Sequence, residues 1–197
     1  DRPLIGMIGG LRVMKGHATV VEAAVRLVAR GVRPHFVFVG RGPMEPAVRA
    51  AIERAGLGSQ FTFAGFVDDL TATLAALDVV LYTPLESDGM SRVIFEYLAA
   101  GRPLIAARVG VVPEVLTDRE HAALVPAGDG EALAEALERL LRHPNEAARL
   151  GEAGRPLRQG RDSGARVAAA LEGRYGPLGS TGAGRKSPVL SPPRPTT

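Results

Sequence analysis

Apolar residues fall in short, nearly unbroken runs at 4–8, 35–39, 61–64, 79–82, 104–107 and 122–125. Such runs are what strands covered on both faces of a parallel sheet require. Between them the spacing turns helical. Residues 17–30 set Val20, Val21, Ala24, Val25 and Val28 on one stripe and stop at Gly31. Helices are also predicted at 44–55, ending at Gly56, and at 69–77, opened by acids that suit its positive end. A helix at 92–100 buries Val93, Ile94, Tyr97 and Leu98 and ends at Gly101-Arg102-Pro103; segments 131–141 and 161–175 complete the set. Six β/α alternations with right-handed crossovers predict an α/β fold, an open, doubly wound parallel sheet of about six strands. No internal repeat is visible.

Composition divides the chain in two. In residues 176–197, fifteen of twenty-two positions are Gly, Pro, Ser or Thr, a mixture that cannot bury enough apolar surface to fold. A flexible tail is expected there, after one globular domain over residues 1–175. The net charge of +3 sits wholly in the tail, on Arg185, Lys186 and Arg194, and leaves the body neutral. With nine aromatic residues, no Trp and no basic stripe, nucleic-acid binding is disfavoured. Cysteine is absent, which excludes disulfides, thiolate metal sites and a Cys nucleophile; four scattered His make a zinc site unpromising. No apolar run approaches the ~18 residues of a membrane span and no signal peptide opens the chain, so a cytoplasmic protein is expected. Asp1-Arg2-Pro3 runs straight into a strand, as in a piece of a longer polypeptide. The body holds twenty Arg but a single Lys, Lys15, which hints at a chemical role.

Ligands of such sheets bind at the carboxyl ends of the strands, so the loops after each run matter most. After the first comes Gly9-Gly10-Leu11-Arg12-Val13-Met14-Lys15-Gly16-His17. Its glycines permit a close backbone approach, and Arg12 and Lys15 bring two cations to a helix start. That is either a diphosphate site or a solvated loop. The turn Gly40-Arg41-Gly42-Pro43 either lets a ligand pass close to bare backbone or simply turns the chain. The most informative segment runs from Thr83 to Glu96. Ser91 can cap the helix at 92–100, Asp88 lies in the loop ahead, and Arg92 and Glu96 share a face. Either Arg92 and Glu96 form an ordinary ion pair, or the two acids accept hydrogen bonds from a polyhydroxylated phosphate ester whose phosphate the helix amides hold.

Taken in order, Gly-Leu-Arg-x-x-Lys-Gly-His, Val-Gly-x-Gly-Pro, Phe-Ala-Gly-Phe-Val and Asp-Gly-Met-Ser-Arg-Val-Ile-Phe-Glu-Tyr-Leu-Ala-Ala-Gly-Arg-Pro resemble glycosyltransferase family 4. The likeness covers about residues 3–175 and is to the C-terminal, Rossmann-like, donor-binding half of the GT-B fold. Asp88 through Glu96 fits the family's E-x7-E motif with Asp in the first acidic place. The resemblance implies transfer of a sugar, with retention of configuration, from a nucleoside-diphosphate sugar to an acceptor held by a preceding N-terminal domain missing from this chain. It implies that Glu96 holds the ribose, that Asp88 contacts the transferred sugar beside Gly89 and Met90, and that the amides of Ser91, Arg92 and Val93 meet the diphosphate. Lys15 and a nearby arginine would neutralise the leaving group without a bound metal or other cofactor. Gly65, Phe66 and Val67 would lie against the base, and Gly10 and Gly40 are counted among the residues that bind the nucleotide-sugar. The chain departs from the pattern twice: Gly10 stands where many members carry Arg, so Arg12 is taken as its replacement. Asp88 stands for Glu, with Glu86 a rival that fits the spacing less well.

His17 is read as a helix cap in preference to a phosphate contact; His35, His121 and His143 as structural or solvated; Glu114 as an acid at a helix start. Two alternatives remain on the same fold: a non-catalytic nucleotide-binding module, and a sugar-nucleotide epimerase-like domain using Asp88 with His17. A phosphorylase would need a cofactor lysine beyond Lys15.

Overall fold

The computed structural model describes residues 2–158 apart from Asp88 and Met90. The helix expected at 161–175, the tail at 176–197, Asp88 and Met90 therefore lie outside the described residues.

Six parallel strands form one sheet: β1 (Leu4–Ile8), β2 (His35–Val39), β3 (Phe61–Gly65), β4 (Val79–Tyr82), β5 (Leu104–Ala107) and β6 (Ala123–Val125). Their spatial order is β3-β2-β1-β4-β5-β6, so the winding reverses between β1 and β4. That is the Rossmann order, and the reversal opens a crevice above the carboxyl ends of those two strands. Alternate side chains go to opposite faces. Val79 and Leu81 join one core cluster, while Val80 and Tyr82 join the other. Both faces of β4 are thus sealed, which explains its unbroken apolar run.

Helices α1 (His17–Ala29), α2 (Glu45–Arg54), α6 (Gly130–Arg142) and α7 (Pro144–Gly154) bury residues in the first cluster. Helices α3 (Leu70–Ala76), α4 (Arg92–Ala99) and the short α5 (Val112–Val115) bury theirs in the second. On α1 the docked face centres on Val20, Ala23, Ala24 and Leu27, all fully buried, so Val25 falls on its rim and is 44% exposed instead of joining the stripe. Salt bridges then lace α1 to α6: Arg26 meets Glu22 and Glu131, each at 2.8 Å, and Arg30 bridges Glu131 and Glu138.

Candidate active site

The loop after β1 ends in a 3-10 turn, Val13–Lys15, followed by Gly16 at φ 75°. A Cβ on Gly16 would run into the Thr83 carbonyl oxygen, so only glycine lets this loop lie against the end of β4. Two further bonds join the loops. The Thr83 hydroxyl donates to the Lys15 carbonyl oxygen at 3.3 Å, and the Leu85 amide donates to that of Met14 at 2.8 Å. The backbone of Lys15 is thereby held over the crevice, with Nζ 6.0 Å from the centre of the Tyr82 ring.

The opposite wall is the start of α4. Ser91 stands ahead of the helix in an extended conformation, but its hydroxyl bonds no helix amide, contrary to the expected cap. The first α4 amides have no carbonyl of their own helix to bond and sit at the positive end of its dipole. Tyr97, fully buried, accepts a hydrogen bond from the Ile8 amide at 2.8 Å and so pins α4 to β1. Burial raises its phenol well above the ordinary value. One residue before it, Glu96 is exposed and, among the described residues, forms no ion pair with Arg92.

These walls enclose a cleft of about 410 Å³ lined by Gly9, Gly10, Lys15, Ser91, Arg92, Val93 and Glu96, among others. A cation on one wall, with open amides and a carboxylate on the other, forms a place for a phosphorylated polyol. A second hollow, of about 250 Å³, adjoins it through Ile8, Gly9 and Gly10; Gly40, Phe66 and Val67 line it. Gly40 has φ 131° there, and a Cβ would strike the Gly9 carbonyl oxygen. Gly65 ends the strand beside it, its carbonyl oxygen accepting from the Gly40 amide at 2.7 Å.

Some expected residues fall elsewhere. Arg12 and Glu86 line a separate hollow with Val13, Met14 and Leu85, because the turn at 13–15 throws Arg12 outward. Its Nε still comes 3.9 Å from where a Cβ on Gly10 would stand, at the edge of the main cleft. Gly89 is exposed in the loop ahead of α4 and lines neither space. His17 does not cap α1, since Gly16 holds that position without any side-chain bond. Instead the ring is 2% exposed, packs edge-on against Phe38 at 4.9 Å, and among the described residues has no hydrogen-bond partner on either nitrogen. Burial, and after it the Lys15 charge, lower its pKa to about 4, so it is neutral at pH 7. It does not line the cleft, which leaves the epimerase pairing of His17 with Asp88 without support. Among the described residues no three His, Asp or Glu gather to hold a metal ion.

Sequence reasoning missed Thr83 and the Tyr97 hydroxyl. Both are polar atoms inside apolar segments, the one available signal.

A family model described as glycosyl transferases group 1 matches residues 2–143. The chain belongs to this family. The group 1 domain is 30% identical over 180 residues to an alpha-D-kanosaminyltransferase of Streptomyces kanamyceticus, covering 91% of this chain and 47% of that protein. It thus spans about half the length of that relative. Among solved structures it resembles the C-terminal domain of a glycosyl transferase group 1 family protein of Francisella tularensis, with TM-score 0.70 and 25% identity over 79% of this chain and 83% of that one. It shares its fold with HepE of Anabaena, crystallised with UDP, at TM-score 0.75 and 21% identity over 88% of this chain and 49% of HepE. The fold is therefore that of the C-terminal half of GT-B glycosyltransferases, as the ordered motifs lead one to expect. No described helix is long and apolar enough to cross a membrane.

Proposed function

We propose that this group 1 domain is the donor-binding half of a retaining family 4 glycosyltransferase, acting on a nucleoside-diphosphate sugar without a metal or other cofactor. The observation that carries the reading is that Lys15, the open amides of α4 and the Glu96 carboxylate share one cleft at the reversal of the sheet. In this reading the bond between the anomeric carbon and the diphosphate oxygen breaks while the sugar passes to an acceptor hydroxyl. Negative charge gathers on the departing nucleoside diphosphate. Lys15 and the amides of Ser91, Arg92 and Val93 stabilise it where it develops, and Arg12 reaches over Gly10 as a second cation. Glu96 accepts hydrogen bonds from the ribose, and Asp88 contacts the sugar from the loop ahead of α4, between Glu86 and Gly89. The base lies against Gly40, Gly65, Phe66 and Val67. An N-terminal domain of the longer protein holds the acceptor, so the present chain binds nucleotide but transfers little or no sugar. The whole enzyme works in the cytoplasm.

Thermal melting with UDP, GDP, ADP and pyrophosphate tests this. A ligand at one hundred times its dissociation constant stabilises the fold by ~2.7 kcal/mol. Lys15→Ala is expected to weaken all four, and Glu96→Gln only the three that carry ribose. If neither substitution changes any shift, the assignment fails.

A further inference from the structure

Of the described residues, nine line the second hollow: Ile8, Val39, Val67 and Leu70 as aliphatic walls, Phe66 as an aromatic one, three glycines, and Arg41. Among the described residues Arg41 is therefore its one polar side chain, and a choice between bases made there by one of their side chains falls to this guanidinium. The Arg41 carbonyl oxygen accepts from the Leu11 amide at 3.2 Å, fixing the backbone. Its guanidinium carbon lies 5.6 Å from the centre of the Phe66 ring, and Nε comes within 3.4 Å of where a Cβ on Gly65 would stand. Phe66 is 77% exposed, so the pair forms an open flat wall.

A neighbour shows what is unusual about it. Arg49 lies over Phe63 at 3.9 Å, but Glu45 holds it at 2.7 Å. Arg41 has the ring without the acid: among the described residues no carboxylate pairs with it. Its N–H groups are left for a ligand.

Accepting the nucleotide reading above, on which this rests, we propose that Arg41 reads the nucleobase and that the preferred donor carries guanosine diphosphate. A guanidinium has five donors and no acceptor. Guanine offers it two adjacent acceptors, O6 and N7, which an arginine fork meets with two parallel bonds. Adenine places an amino donor beside N7 and repels one arm of the fork. Uracil offers its carbonyl oxygens singly, on either side of a ring N–H. The order of preference is guanine, then uracil, then adenine.

Calorimetry of the 197-residue chain with GDP, UDP and ADP tests this. The parent is expected to bind GDP at least tenfold more tightly than UDP. Arg41→Ala, at an exposed side chain whose backbone bond survives the change, brings GDP to the level of UDP. Arg41→Gln, with one donor and one acceptor that match adenine N7 and N6, raises ADP relative to GDP. Equal affinities in the parent, or an Arg41→Ala that weakens all three alike, overturn the assignment of Arg41. The broader reading survives that result as long as Lys15→Ala weakens every nucleotide. Absence of binding by all three overturns both.

Discussion

Helices α6 and α4 begin in opposite ways. Asp129 stands ahead of α6 and its carboxylate accepts from the Ala132 amide at 2.9 Å; Asp69 does the same for α3 through Ala72 at 2.8 Å. Ser91 holds the corresponding place ahead of α4, and its hydroxyl bonds no amide. A capped start is satisfied from within. An uncapped one keeps its N–H groups and its positive end for something from outside. Helices α2, α5 and α7 also lack a side-chain cap, so what sets α4 apart is where it starts: it opens onto the crevice between β1 and β4, whereas α6 packs beside α1 with Leu133, Leu137 and Leu140 buried. Helix α1 is uncapped too, and carries a sealed histidine at its first position.

The largest expected effect concerns that histidine. His17 has a pKa of about 4 in the folded protein against 6.5 in an open chain, so the unfolded state binds more protons between those values. Stability therefore falls as pH drops from 7 towards 4, with a contribution from this group on the order of 3 kcal/mol. His17→Phe removes that contribution, as urea unfolding of parent and variant at pH 7 and 4.5 will show; equal acid sensitivity would mean the ring is not sealed. Next comes a graft of one start onto the other. Ser91→Asp supplies α4 with the carboxylate that α6 already has. It is expected to hold or raise the melting temperature while lowering affinity for GDP and UDP by about tenfold or more, since an anion then competes for the same amides. Asp129→Ala does the reverse: a loss of about 1 kcal/mol in stability, with nucleotide affinity unchanged in calorimetry. Smallest is Ser91→Ala, expected to shift stability by no more than a few tenths of a kcal/mol because it removes no capping bond. A loss as large as that of Asp129→Ala would erase the distinction between the two helices.

The sheet was readable because strands buried on both faces must be apolar throughout. β1, β2, β4 and β5 match the predicted runs residue for residue, and β3 and β6 differ by one position. Lys15 and Glu96 were readable as members of one site because both fall in the ordered motifs that resemble glycosyltransferase family 4, and the resemblance sets them on one ligand. Helix α7 was not. Its inward face uses Ala147, Leu150, Gly151 and Gly154, and small residues carry almost no periodic signal, although Pro144 at its first position was a start signal. Val25 was misplaced because a stripe from spacing is wider than the face that docks. His17 looked like a cap because the sequence shows its place on α1 but not the Phe38 ring that β2 brings beneath it. The outward throw of Arg12 depends on a 3-10 turn of three residues, too short for periodicity to reveal.

The stitching of Met14 and Lys15 to Thr83 and Leu85 has a kinetic consequence. The anchor of the ammonium group is set when the chain folds, leaving only the lysine's own methylenes to settle as a nucleotide docks. Encounter at this wall should then be governed by long-range attraction, slowing smoothly as salt is added, with no lag from a gate that must first open.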